Sequence, residues 1–89
     1  MPAASTIKLI YLARLREAFG RAAEEVALPA DVRTVKALRV WLAQRGEPWA
    51  AELGSGRALR IAVNHDVAGP ETPVRAGDEV ALFPPVTGG

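Results

Sequence analysis

Thr6-Ile7-Lys8-Leu9-Ile10-Tyr11-Leu12 is the stretch on which the fold turns. It is rich in β-branched and aromatic residues and is apolar on nearly both faces, the pattern of a strand buried on two sides. A strand of that kind belongs in the middle of a sheet. Leu15, Ala18 and Phe19 follow at helical spacing, so Arg14 to Phe19 reads as a short helix or turn that stops at Gly20. Glu24-Glu25-Val26-Ala27-Leu28 reads as a second strand ended by Pro29.

The clearest helix is expected from Val35 to Arg45, with Thr34 as its N-cap and Gly46 at its C-terminal end. Val35, Leu38, Trp41 and Leu42 share one face, while Lys36, Arg39 and Ala43 point elsewhere. Pro48 to Leu53 reads as a second short helix, opened by proline and closed by Gly54-Ser55-Gly56. Leu59-Arg60-Ile61-Ala62-Val63 alternates as a strand, Asn64-His65-Asp66 is a turn, and Ala76-Gly77-Asp78 is another. Glu79-Val80-Ala81-Leu82-Phe83 is the last strand.

The order β-β-α-β-β predicts an α+β domain, a mixed sheet of about four to five strands with one main helix packed on it. A β-grasp (ubiquitin-like) fold makes the first and last strands parallel neighbours at the centre of the sheet, which accounts for a first strand apolar on both faces. Periodicity alone also allows a ferredoxin-like arrangement. Within 89 residues one domain is expected over 6–84, with a flexible N-terminal segment over 1–5 and an extended tail over 85–89.

Composition closes many routes to chemistry. The chain is 49% hydrophobic and 24% charged, as in a soluble globular protein. No apolar run approaches the ~18 residues of a membrane span, and the first residues lack a signal-peptide pattern, so a cytoplasmic location is expected. The absence of cysteine excludes disulfides, thiolate metal sites and a cysteine nucleophile. His65 is the sole histidine and has no nucleophile to serve, so it reads as a solvated turn residue. No bound metal or cofactor is expected. Net charge is +1 with acids and bases interspersed, which gives no nucleic-acid footprint. Any reaction must therefore draw most of its catalytic groups from a partner.

Pro84-Pro85-Val86-Thr87-Gly88-Gly89 follows the last strand. Two prolines end ladder pairing and stiffen the chain, and two glycines remove side-chain bulk beyond them. Fully extended, Pro85 to Gly89 spans roughly 17 Å at ~3.4 Å per residue, enough to carry the Gly89 carboxylate into a narrow cavity of another protein. A carboxylate is a poor electrophile and must first be activated, for instance as an acyl-adenylate; sulfide can then displace the adenylate and leave a nucleophilic thiocarboxylate. The plain reading of the same residues is a frayed glycine end.

The run Gly77 to Gly89, GDEVALFPPVTGG, resembles the C-terminal signature of the molybdopterin-synthase sulfur-carrier subunits. Ile7 to Glu17, Ala62-Val63-Asn64 and Thr34-Val35 resemble the same family, so that the likeness covers Thr6 to Gly89. It implies a non-catalytic carrier whose Gly89 is adenylated by an ATP-dependent activating enzyme and converted to a thiocarboxylate by a sulfur donor. The large synthase subunit then receives the tail, and sulfur passes to cyclic pyranopterin monophosphate to build molybdopterin. The family assembly it implies is a heterotetramer with two copies of each subunit. By the same resemblance Gly88 and Gly89 are the functional end, and Phe83, Leu12 and Val67 take positions of partner contact. Each of the three could instead belong to the core.

The family commonly has two aromatics before Pro-Pro, and Leu82 replaces the first. Alternation places Leu82 and Phe83 on opposite faces, so the change falls on the core side. Trp41 reads as core, whereas Trp49 reads equally as a sheet-edge cover or an exposed ring. Arg14, Arg16, Arg39, Arg57 and Arg60 are read as solvated, with none assigned a contact. Carriers of the thiamine pathway share the fold and the Gly-Gly end but are typically shorter, lack the Pro48–Leu53 segment and rarely have Phe-Pro-Pro. The same residues are also compatible with a carrier for cysteine synthesis, a protein modifier joined to lysines through Gly89, or a plain interaction domain.

Overall fold

The computed structural model describes residues 5–54 and 58–85. The expectations for Met1 to Ala4, for Ser55 to Arg57 and for Val86, Thr87, Gly88 and Gly89 lie outside the described residues. Strand β1 (Thr6–Tyr11) leads into helix α1 (Arg14–Phe19), strand β2 (Ala23–Ala27), helix α2 (Val35–Ala43), helix α3 (Trp49–Leu53) and strands β3 (Arg60–Val63), β4 (Asp66–Ala68) and β5 (Glu79–Phe83). The sheet order is β2-β1-β5-β3-β4. β1 and β5 are parallel, with Lys8 opposite Glu79 and Tyr11 opposite Leu82, and the other pairings are antiparallel. This is the β-grasp arrangement; the parallel β1–β5 centre excludes a ferredoxin-like one.

All three helices lie on one side of the sheet. Ile7, Leu9 and Tyr11 of β1 and Val80 and Leu82 of β5 are fully buried in one cluster with Leu38 and Leu42 of α2 and Leu53 of α3. The first four N–H groups of a helix have no partner within it. In α2 they are all supplied: Val35 and Lys36 donate to the carbonyls of Thr72 and Pro70, Ala37 to Thr34 Oγ1 at 3.2 Å, and Leu38 to the Thr34 carbonyl. Those bonds also fasten the 69–74 loop to the helix. α2 ends at Ala43, two residues before the expected Arg45; Gly46 takes a left-handed φ of 94° just beyond it. Trp41 packs against the cluster from its margin and is only half-buried.

The sheet has five strands, within the expected four to five; the one not located from the sequence is β4. The Asn64-His65-Asp66 turn is tighter than its composition suggests, because only Asn64 and His65 have positive φ, 50° and 76°. Asp66, expected in the turn, already pairs with Val63, and Val67 lies in an edge strand opposite Ala62. A two-residue hairpin with both central residues left-handed fits the right-handed twist of its strands. The Asn64 side chain then ties the hairpin to the start of β5: its Nδ2 donates to Asp78 Oδ1 and its Oδ1 accepts from Glu79 N, both at 3.0 Å.

An aromatic group closes the β1–α1 end. Trp49 stacks on Phe19 at 3.8 Å and meets Tyr11 edge-on at 5.4 Å, which settles its place as a cover for the core. The Arg45 guanidinium lies 4.5 Å above the Trp49 ring and reaches Glu24 Oε2 at 2.9 Å. Tyr11, fully buried, donates its hydroxyl to the same carboxylate at 2.6 Å. Burial, then the bond to Glu24, pushes the Tyr11 hydroxyl pKa well up. Burial alone would raise Glu24, but the bonds from Tyr11 and Arg45 outweigh it and hold the carboxyl below its ordinary 4.5.

Leu82→Ala removes fully buried methyls at the sheet centre and is expected to cost about 2–5 kcal/mol in urea unfolding. The lowered Glu24 carboxyl contributes stability that is complete above its ordinary, unfolded value of 4.5 and is lost as pH falls through the lower folded value. Glu24→Gln should therefore lower stability near neutrality and flatten its decline under acid, as read from thermal melts between pH 7 and 3.

Candidate functional site

Strand alternation leaves the second face of the sheet free of helices. Register partners across four strands place Ile10, Ala81, Ala62 and Val67 in one lateral row on that face. Two residues further along, Phe83 lies opposite Arg60, and Leu12 continues β1 beside it through its N–H bond to the Leu82 carbonyl. The result is an apolar strip with Leu12 44% and Val67 68% exposed, and Ile10, Ala81 and Phe83 half-buried. Ala62 is buried yet stands apart from the core cluster. Exposed aliphatic and aromatic groups gathered on one face make it the candidate interaction surface of the domain.

The three residues assigned to partner contact, Leu12, Val67 and Phe83, thus share this face, and none belongs to the core cluster. Leu82, by contrast, is fully buried on the helix side. Sequence reasoning missed Ile10, Ala62 and Ala81, which complete the strip. Counting two residues back from Leu12 and Phe83 reaches Ile10 and Ala81; Ala62 is found only through the pairing of β3 with β5 and β4.

At the far end the strip meets a charged row in which Lys8 lies between Glu25 and Glu79 on the flanking strands. His65 adjoins it, its Nε2 3.7 Å from Glu79 Oε2 and its side chain 84% exposed, as expected of a solvated turn residue. At the near end β5 finishes at Phe83 and hands the chain to Pro84 and Pro85, both half-buried. The apolar face and the start of the tail therefore share an edge. Arg14 is held there by Glu52 at 3.2 Å, and Arg39 donates to the carbonyls of Leu53 and Gly54 at the end of α3. Among the described residues no three His, Cys, Asp or Glu side chains converge as metal ligands would. No helix among them is long and apolar enough to cross a membrane.

A β-grasp domain with one apolar sheet face opening onto a proline-stiffened tail is the form of a small ubiquitin-like carrier. The chain belongs to the ThiS family, whose model matches residues 9–89. It is 47% identical to the molybdopterin synthase sulfur carrier subunit of Escherichia coli over 83 residues, 93% of this chain and 99% of the relative. Among solved structures, a putative molybdopterin converting factor subunit 1 from Pyrococcus furiosus superposes with a TM-score of 0.75 at 33% identity, over 92% of this chain and 99% of that one. A protein–protein complex of subunits 1 and 2 of the molybdopterin-converting factor from Helicobacter pylori contains a chain matching at TM-score 0.63 and 26% identity, over 94% of this chain and 99% of that one.

Because Leu12 and Val67 point away from the core, Leu12→Ser and Val67→Ser should each change unfolding free energy by no more than about 0.5 kcal/mol. Urea denaturation checks this directly.

Proposed function

We propose that the chain is the sulfur-carrier subunit of a molybdopterin synthase. The observation that carries this reading is the shared edge between the exposed Leu12–Phe83–Val67 face and the Pro84-Pro85 exit. Membership of the ThiS family and the 47% identity to a named carrier support it. The chain brings binding and delivery, and the partners bring the catalytic groups.

In this reading the Gly89 carboxylate attacks the α-phosphate of ATP on an activating enzyme, pyrophosphate leaves, and an acyl-adenylate forms. A sulfur donor displaces AMP to give the thiocarboxylate. The apolar face then seats on the large subunit, and Pro84, Pro85, Val86, Thr87 and Gly88 lead the sulfur into that subunit's active site. There it passes to cyclic pyranopterin monophosphate, and two transfers complete the dithiolene. The assembly holds two copies of each subunit and works in the cytoplasm. A face whose centre is apolar suits such docking, since a few desolvated groups commonly dominate an interface.

Deletion of Gly89, or an uncleavable fusion that converts its carboxylate to an amide, should abolish molybdopterin formation in a reconstituted synthase, and the deletion should leave binding to the large subunit intact. Phe83→Asp should do the opposite, weakening binding by at least about tenfold with Gly89 still open to sulfuration. Undiminished molybdopterin formation by the amide fusion would overturn the carrier reading.

A further inference from the structure

Arg60 is the residue of the open face that the apolar strip does not explain. It is the register partner of Phe83, on the row that also holds Leu12, at the end where β5 passes into Pro84. It is exposed and has no carboxylate within ion-pair distance among the described residues. Four other arginines have partners of their own: Arg14 pairs with Glu52, Arg45 and Arg21 with Glu24, and Arg39 donates to the carbonyls that end α3. At the far end Lys8 is bracketed by Glu25 and Glu79. Among the described residues the face is therefore polarised, with the unpaired Arg60 guanidinium at the tail end and an excess of carboxylate at the opposite end.

A cation beside Phe83 is desolvated when anything covers that ring. Uncompensated, it would oppose binding, so a surface that fits this face must place an anion there. Guanidinium presents a planar fork suited to bidentate pairing with a carboxylate. Resting on the reading that the face seats on the large synthase subunit, we propose that Arg60 is a docking cation that pairs with an Asp or Glu of that subunit at the lip of the cleft that takes the tail. Gly89 lies six residues beyond Phe83, so this pair forms at the mouth of the cleft, away from the reacting sulfur. Its part is to orient the carrier, tail end first, and to speed encounter.

The test is titration of the full chain with the purified large subunit from the same organism, at about 50 and 500 mM NaCl, for wild type, Arg60→Lys, Arg60→Leu, Arg60→Glu and Phe83→Ala. Expected are a loss of affinity of about fivefold for Arg60→Leu and at least about thirtyfold for Arg60→Glu at low salt, with Arg60→Lys between wild type and Arg60→Leu. The salt dependence seen in wild type should flatten in Arg60→Leu, whereas Phe83→Ala should weaken binding equally at both salt concentrations. An Asp or Glu to Arg change at the lip of the large subunit should restore binding of Arg60→Glu. If Arg60→Glu binds within about twofold of wild type while Phe83→Ala does not, Arg60 has no docking role and the face stands without it. If neither variant differs from wild type, the docking face itself is wrong and this inference falls with it. Circular dichroism and urea midpoints matching wild type confirm that each change acts on binding.

Discussion

The parallel ladder between β1 and β5 is the constraint on which the rest of the molecule depends. It aligns Lys8 with Glu79 through Tyr11 with Leu82, and so brings the two strands that lie farthest apart in sequence to the centre of the sheet. Parallel strands need a crossover, and here the whole chain between them supplies it. β2 and the β3–β4 hairpin take the flanks, and α2 and α3 pack over a single face. The same ladder sets Leu12 beside Phe83 and fixes which end of the sheet releases Pro84. A slip of one residue would turn Leu82 outward and Phe83 inward, destroying core and open face together.

The two faces therefore have different physical tasks. The helix-covered side holds Ile7, Leu9, Val80, Leu82, Leu38 and Leu42, and it supplies the burial that stabilises a chain of only 89 residues. Its margin is closed by the Trp49–Phe19–Tyr11 stack and by the Glu24 carboxylate, which accepts from Tyr11, Arg21 and Arg45. The open side is the less buried of the two, with Leu12 and Val67 exposed. The apolar groups left exposed there gain free energy only when another surface covers them.

Much of this was legible in the sequence because the informative residues are periodic. A first strand apolar on both sides, a helix with Val35, Leu38 and Leu42 at helical spacing, and the Gly77-Asp78 turn before β5 each announce themselves locally. Parity alone separated Leu82 from Phe83. β4 was not legible, because three residues are too few to show alternation and its formation depends on Asn64 and His65 both adopting positive φ. The early end of α2 reflects local capping: the Gln44 N–H already turns to the Trp41 carbonyl. Trp49 could not be placed without the tertiary contact to Phe19. Ile10, Ala62 and Ala81 became part of the candidate site only once strand neighbours were known, and Arg60 stood out only once Arg14, Arg21, Arg39 and Arg45 were seen to have partners.

The placement of an unpaired apolar face at the root of a glycine-ended tail argues for a carrier in which the fold recognises and the terminus reacts. Nothing in that division requires a catalytic side chain on this chain. The most direct measurement is intact-mass analysis of the protein isolated from its own cells, with and without the activating enzyme. The account predicts a population heavier by the difference between sulfur and oxygen at the Gly89 carboxyl, lost when the activating enzyme is removed. A single unmodified mass while the cells are making molybdenum cofactor would contradict it.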